Sequence, residues 1–112
     1  MPVAPLSLDI SRTGPNAVIA LAGELDLAGA ATLEHTLGEL DAAAIVVDLR
    51  GLEFMDSSGL RAIALAARRL QEAGRRFALV PGAAQVMRVF DITRMRERLD
   101  FVADAREVTG TA

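Results

Sequence analysis

Hydrophobic and polar positions alternate and cluster along the chain in ways that mark out its elements. Leu6, Leu8 and Ile10 alternate with polar residues, the period of a strand with one face in water. Ser11 to Asn16, which includes Gly14-Pro15, is turn chemistry. Ala17 to Ala22 is an unbroken apolar run and predicts a second, more buried strand. So short a connection makes this pair antiparallel, because a parallel crossover needs roughly a dozen residues. Asp26, at the end of Gly23-Glu24-Leu25-Asp26, is a candidate cap for a first helix with the stripe Ala30, Leu33, Leu37 and Leu40. Ile45 to Leu49 is rich in β-branched residues and predicts a buried strand. Gly51 to Met55 reads as the turn after it. Leu60, Ile63, Ala64, Ala67 and Leu70 then recur at helical spacing, with Arg61, Arg68 and Arg69 off the stripe. Gly74 suits the position just past the end of that helix, and Arg68 and Arg69 suit the negative pole of its dipole. Phe77 to Val80 predicts a strand stopped by Pro81-Gly82, Ala83, Val86, Met87 and Phe90 a third helix, and Leu99, Phe101 and Val102 a short last strand. Two strands followed by helix and strand in alternation give an α/β fold: a small mixed sheet of about four or five strands with helices packed against it.

Composition narrows the picture. A length of 112 residues suits a single domain, 1–112, with its core at about 6–102 and a short helix or loose tail at 103–112. At 52% hydrophobic residues the chain can fill a core without disulfide or metal. There is no internal repeat and no low-complexity segment. The absence of cysteine removes thiol catalysis and thiolate metal sites and is compatible with a reducing cytoplasm. Met1 to Pro5 has neither the basic residue nor the apolar stretch of a signal peptide. No apolar run approaches the roughly 20 residues needed to cross a bilayer, so no membrane insertion is expected. A net charge of −3, with aromatics at 4% and all of them Phe, argues against a nucleic-acid binder.

Candidate chemistry concentrates in Asp56-Ser57-Ser58-Gly59, between a strand and a helix. Asp and Ser are preferred at helix N-caps because their oxygens accept from the free amides of the first turn. A helix start also favours an anion. A serine there can cap the helix or, if exposed, accept a phosphoryl group without unfolding it. Spacing alone favours simple capping. Phe54 and Met55 lie beside the cap as either core or surface contacts. His35 falls off its helix's apolar stripe and reads as a surface residue, so no Ser/His/Asp constellation can be assembled. Asp48 and Asp56 could pair as acid and base, but a strand residue and a cap are the simpler readings. Gly51 and Gly59 fit no phosphate-binding loop. Arg88, Arg94, Arg96 and Arg98, interrupted by Asp91, Glu97 and Asp100, read as a solvated mixed-charge face. Met87 reads as core filling. Neither a cofactor nor a metal is expected.

The run from Asp48 to Leu60, DLRGLEFMDSSGL, resembles the signature of the STAS domain family, and more narrowly that of the bacterial anti-sigma factor antagonists. Gly23-Glu24-Leu25-Asp26 resembles the family's second marker. Val80-Pro81-Gly82-Ala83 and Val89-Phe90-Asp91-Ile92-Thr93 sit where the family has its fourth strand and third helix. The resemblance spans about Leu6 to Val102. It implies a STAS-type domain that is not an enzyme. It implies that Ser57 is phosphorylated by a partner anti-sigma factor that is also a serine kinase. The unphosphorylated form would bind that partner and free the sigma factor, and a metal-dependent phosphatase would restore it. Asp56, Ser58 and Asp26 would support Ser57, and Phe54, Met55 and Gly59 would complete the switch surface. The alternative is a constitutive STAS adaptor of a transporter ATPase or larger signalling assembly, with no phosphorylation. The chain departs from the family at Arg94, where a glycine often follows the third helix, and the family's last helix is only hinted at by Asp104 to Val108.

Overall fold

The computed structural model describes residues 4–110; the first three residues of the leader reading and the last two of the tail reading lie outside them. The order of elements is β1 (Ser7–Thr13), β2 (Asn16–Leu25), α1 (Leu27–Glu39), β3 (Ala44–Met55), α2 (Ser57–Glu72), β4 (Arg76–Val80), α3 (Ala84–Ile92) and α4 (Arg106–Thr109). A single 3₁₀ turn, Met95–Glu97, lies between the last two helices. The four strands form one sheet in the order β1-β2-β3-β4, with β1 antiparallel to β2 and the other neighbours parallel. The mixed sheet, the hairpin and both strand-helix-strand crossovers therefore match the reading of the sequence.

Three boundaries differ. The hairpin turn is only Gly14-Pro15, since Thr13 already pairs with Asn16. Ser11 to Thr13 belong to β1. The apolar run after Asp48 does not turn at Gly51: β3 continues to Met55 alongside β2, with register shifts between Ala20 and Ala22 and between Gly23 and Glu24. Gly51 serves close approach there, because a Cβ would stand 2.6 Å from the Leu21 carbonyl oxygen. Shifts of this kind bend a strand and strengthen its twist. The expected fifth strand shrinks to one bridge, Leu79 with Phe101. Phe101 is held by side-chain packing, with its ring edge-on to Phe90 at 5.4 Å and 87°.

One face of the sheet carries the main core. Ile19, Leu21, Ile45, Val47, Leu49 and Leu79 meet Leu33 and Leu37 of α1, Ile63 and Leu70 of α2, and Val86, Met87 and Phe90 of α3. The opposite face has a smaller cluster of Val46, Ala78, Val80 and Val102, against which Ala105 and Val108 pack. Gly74 ends α2 at φ 73, the left-handed conformation usual for a glycine C′. Arg94 takes φ 60 and ψ 20 without being glycine. A side chain in that region costs roughly 1–2 kcal/mol, which gives a conformational reason for the glycine often found there in the resembling family.

Candidate functional site

β2 and β3 run side by side to their last residues, Leu25 opposite Met55. The ladder reaches past the strands, where the Asp56 amide donates to the Leu25 carbonyl at 3.2 Å. Each strand then hands over to a helix through an aspartate. Asp26 caps α1, its Oδ1 accepting from the Gly29 amide at 3.0 Å. Asp56 caps α2, its Oδ1 accepting from the amides of Ser58 at 2.9 Å and Gly59 at 3.2 Å. Both caps share φ −105 and an extended ψ, −166 and −174. The structure thus brings Asp26 and Asp56 onto one rim at the C-terminal ends of the two central strands.

Capping is the work of Asp56 rather than of the serines. Ser57 is the first residue of α2 and exposed, and its hydroxyl makes no hydrogen bond among the described residues. Ser58 is half-buried and contributes its backbone amide to the cap. The amides of Ser58 and Gly59, expected to be open to an incoming anion, are already occupied by the Asp56 carboxylate.

Two residues expected on the switch surface lie inside. Met55 is buried because its side chain faces the α2 side of the sheet, within the main core. Gly59 is buried because α2 crosses close over β2 and β3. A Cβ on Gly59 would come within 2.6 Å of Leu25 Cγ and 2.8 Å of Met55 Cγ. Phe54, one residue before Met55, is 45% exposed. Leu27, the first residue of α1, is 74% exposed. It was missed because it falls in phase with the apolar stripe of α1, whereas in the fold it lies beyond the end of the sheet. A cleft of about 410 Å³ joins the two helix starts, lined by Leu27, Ala30 and Glu34 of α1 and by Ser58, Arg61 and Arg69 of α2. Arg61 falls off the apolar stripe of α2 and carries no motif that marks it.

The remaining candidates lie elsewhere or are structural. Asp48 cannot pair with Asp56, because eight residues of largely extended chain, roughly 25 Å, separate them. Asp48 lies on the opposite face of the sheet and binds Arg50 through both carboxylate oxygens, at 2.8 to 3.1 Å. Burial pushes the Asp48 carboxyl up, but the Arg50 guanidinium and backbone amide outweigh it, so the group sits below the ordinary value. On the exposed chain after β4, the Arg106 guanidinium holds the Asp104 carboxyl down at about 2. His35 is exposed and 3.5 Å from Glu39, one turn along α1. Asp91 pairs with Arg96, and Arg76 with Asp100, as expected of a solvated face. Met87 is core. Among the described residues no group of His, Cys, Asp and Glu side chains is placed to hold a metal ion, and no helix is long and apolar enough to cross a membrane.

A profile for the family described as "Mlab, STAS domain" matches residues 8–103. The chain belongs to the STAS domain family. A 66-residue stretch is 41% identical to the anti-sigma-F factor antagonist RsfB of Mycobacterium tuberculosis, covering 54% of each protein. The match spans about half the length of that curated relative. Among solved STAS-like structures, an anti-sigma factor antagonist from Mycobacterium paratuberculosis superposes with a TM-score of 0.82 at 22% identity, over 91% of this chain and 89% of that one. The antagonist SpoIIAA in its unphosphorylated form gives 0.72 at 23% identity over 96% and 98%. The phosphorylated form of Bacillus SpoIIAA gives 0.69 at 20% identity over 92% and 96%. At these identities the structural matches establish the STAS fold.

Proposed function

We propose that this STAS domain is an anti-sigma factor antagonist: a cytoplasmic binding module, not a catalyst, switched by phosphorylation of Ser57. The unphosphorylated chain binds an anti-sigma factor that is also a serine kinase, and so releases the sigma factor. Phosphorylated Ser57 blocks that contact, and a phosphoserine phosphatase reverses the block. The observation that carries this reading is the position of Ser57. It is exposed, at the first turn of α2, and spared from capping by Asp56. Phe54 and Leu27 add exposed apolar surface on either side of the paired strand ends. The naming of a 41%-identical relative as an anti-sigma-F factor antagonist points the same way.

The physics favours a switch at the contact over a change of fold. A phosphate adds about −1.5 to −2 charge. The helix dipole favours a charge there by roughly 0.3–1 kcal/mol, and the adjacent Asp56 carboxylate works against that gain. The core beneath Ser57 is closed by Leu60 and Ile63 and needs no rearrangement. Across an interface, an anion about 5 Å away costs roughly 3 kcal/mol per unit charge at an effective dielectric near 20. Each 1.4 kcal/mol is about tenfold in affinity, so repulsion outweighs the local gain.

The test is incubation with the candidate anti-sigma kinase and ATP, followed by phosphate mapping by mass spectrometry and calorimetric binding. Phosphate should appear on Ser57, and Ser57→Asp should weaken partner binding at least tenfold with an unchanged circular dichroism spectrum. Tight binding that neither phosphate nor Ser57→Asp disturbs would leave the chain a constitutive adaptor.

A further inference from the structure

Ser57 and Arg61 lie one helical turn apart and both are exposed. Long side chains on a helix lean toward its N-terminus, over the residues three and four positions earlier. For Arg61 those residues are Ser58 and Ser57. Of these two, Ser58 lines the cleft together with Arg61. The Arg61 guanidinium has no partner among the described residues, whereas Arg68, Arg75, Arg76 and Arg96 each bind a carboxylate or carbonyl. The first amides of α2 are already engaged, with Ser58 and Gly59 both donating to Asp56. A phosphate on Ser57 would therefore meet the Asp56 carboxylate beside it, Asp26 on the neighbouring cap, and few free backbone donors. Arg61 is the one basic residue in the first two turns of α2. Glu34 and Arg69 line the cleft further along.

We propose that Arg61 is the in-chain counter-ion of a phosphate on Ser57, closing an ion pair over the first turn of α2 only in the modified form. The inference rests on the reading of Ser57 as the modified residue and adds what the modification does locally. A guanidinium matches phosphate oxygens with two parallel hydrogen bonds. Phosphorylation then withdraws two groups from a partner at once, the hydroxyl of Ser57 and the free guanidinium of Arg61. Arg61 acts here as a positioning residue.

The experiment installs phosphoserine at position 57 by genetic encoding in the full chain, so no kinase is involved, and follows the phosphate by phosphorus-31 NMR across pH. A guanidinium paired at about 4 Å, even in nearly aqueous surroundings, should lower the second phosphate pKa by about 0.8 unit, or about sixfold in proton affinity. That lowering should vanish in Arg61→Gln and partly return in Arg61→Lys. Within the unsubstituted chain, the Arg61 Nε–H resonance should shift when Ser57 carries phosphate, a readout that holds even if a variant folds poorly. Coincident titration curves for the wild-type chain and Arg61→Gln, or an unmoved Arg61 resonance, overturn the proposal. A kinase that never modifies Ser57 would sink the switch itself while leaving this titration as an independent result.

Discussion

The two strand-to-helix handovers are built alike and diverge in chemistry at the first helical residue. Leu25-Asp26-Leu27-Ala28-Gly29 and Met55-Asp56-Ser57-Ser58-Gly59 each run buried apolar residue, capping aspartate, exposed first helical residue and buried glycine. Their caps share the same backbone geometry, and the strands before them are hydrogen-bonded neighbours. Since an aspartate caps both helices, the residue after it is left without a structural duty in either. In α1 that residue is Leu27, which offers apolar surface; in α2 it is Ser57, which offers a hydroxyl. One scaffold thus presents an adhesive position and a modifiable one side by side.

Five substitutions sharpen or break this comparison. The largest effect is expected at the glycines. Gly59→Ala puts a methyl against Leu25 and Met55 at under 3 Å, and overpacking of that kind costs roughly 1–3 kcal/mol. Gly29→Ala meets Leu6 no closer than 3.2 Å, so it should cost less than Gly59→Ala in urea unfolding. Equal losses would mean that the two crossings are equally tight. Next come the caps. Asp56→Ala should lose about 1–2 kcal/mol and Asp26→Ala about 1 kcal/mol, because Asp56 satisfies two amides and Asp26 one. Thermal melts of the two variants would rank them; an innocuous Asp56→Ala would return the capping role to the serines. Ser57→Ala should change stability by no more than about 0.5 kcal/mol, while abolishing phosphate incorporation by the partner kinase. A marked loss of stability in that variant would mean that the hydroxyl serves the fold after all.

Most of the architecture was legible in the sequence because it follows from periodicity. The stripe of α2, the β-branched run Ile45 to Val47 and the short hairpin each permit one element, and the crossovers follow from their order. What escaped was set by tertiary packing. Gly51 reads as a turn, yet it is the point at which Leu21 of β2 presses against a continuing β3. Met55 was ambiguous because a bulged strand breaks the two-residue period that separates inside from outside. Gly59 looked like part of an accessible motif, but its missing side chain lets α2 lie on Leu25 and Met55. Asp56 and the serines are all good capping residues, and only geometry distinguishes which oxygen reaches the amides. Leu27 and Arg61 carry no motif: Leu27 is in phase with the apolar stripe of α1, and Arg61 merely falls off the stripe of α2. The resemblance named Ser57 and both aspartates together, while the rim that the two caps share and the exposure of Ser57 became visible only in the fold.

The hydrogen bond from Asp56 to Leu25 has a mechanical consequence. It buttons the two loops together at interstrand spacing, roughly 4.8 Å, so neither can drift while the other stays. Any visitor to this end of the sheet meets a stiff rail whose studs keep their separation, and a chemical mark on one stud alters its bulk and polarity rather than its address.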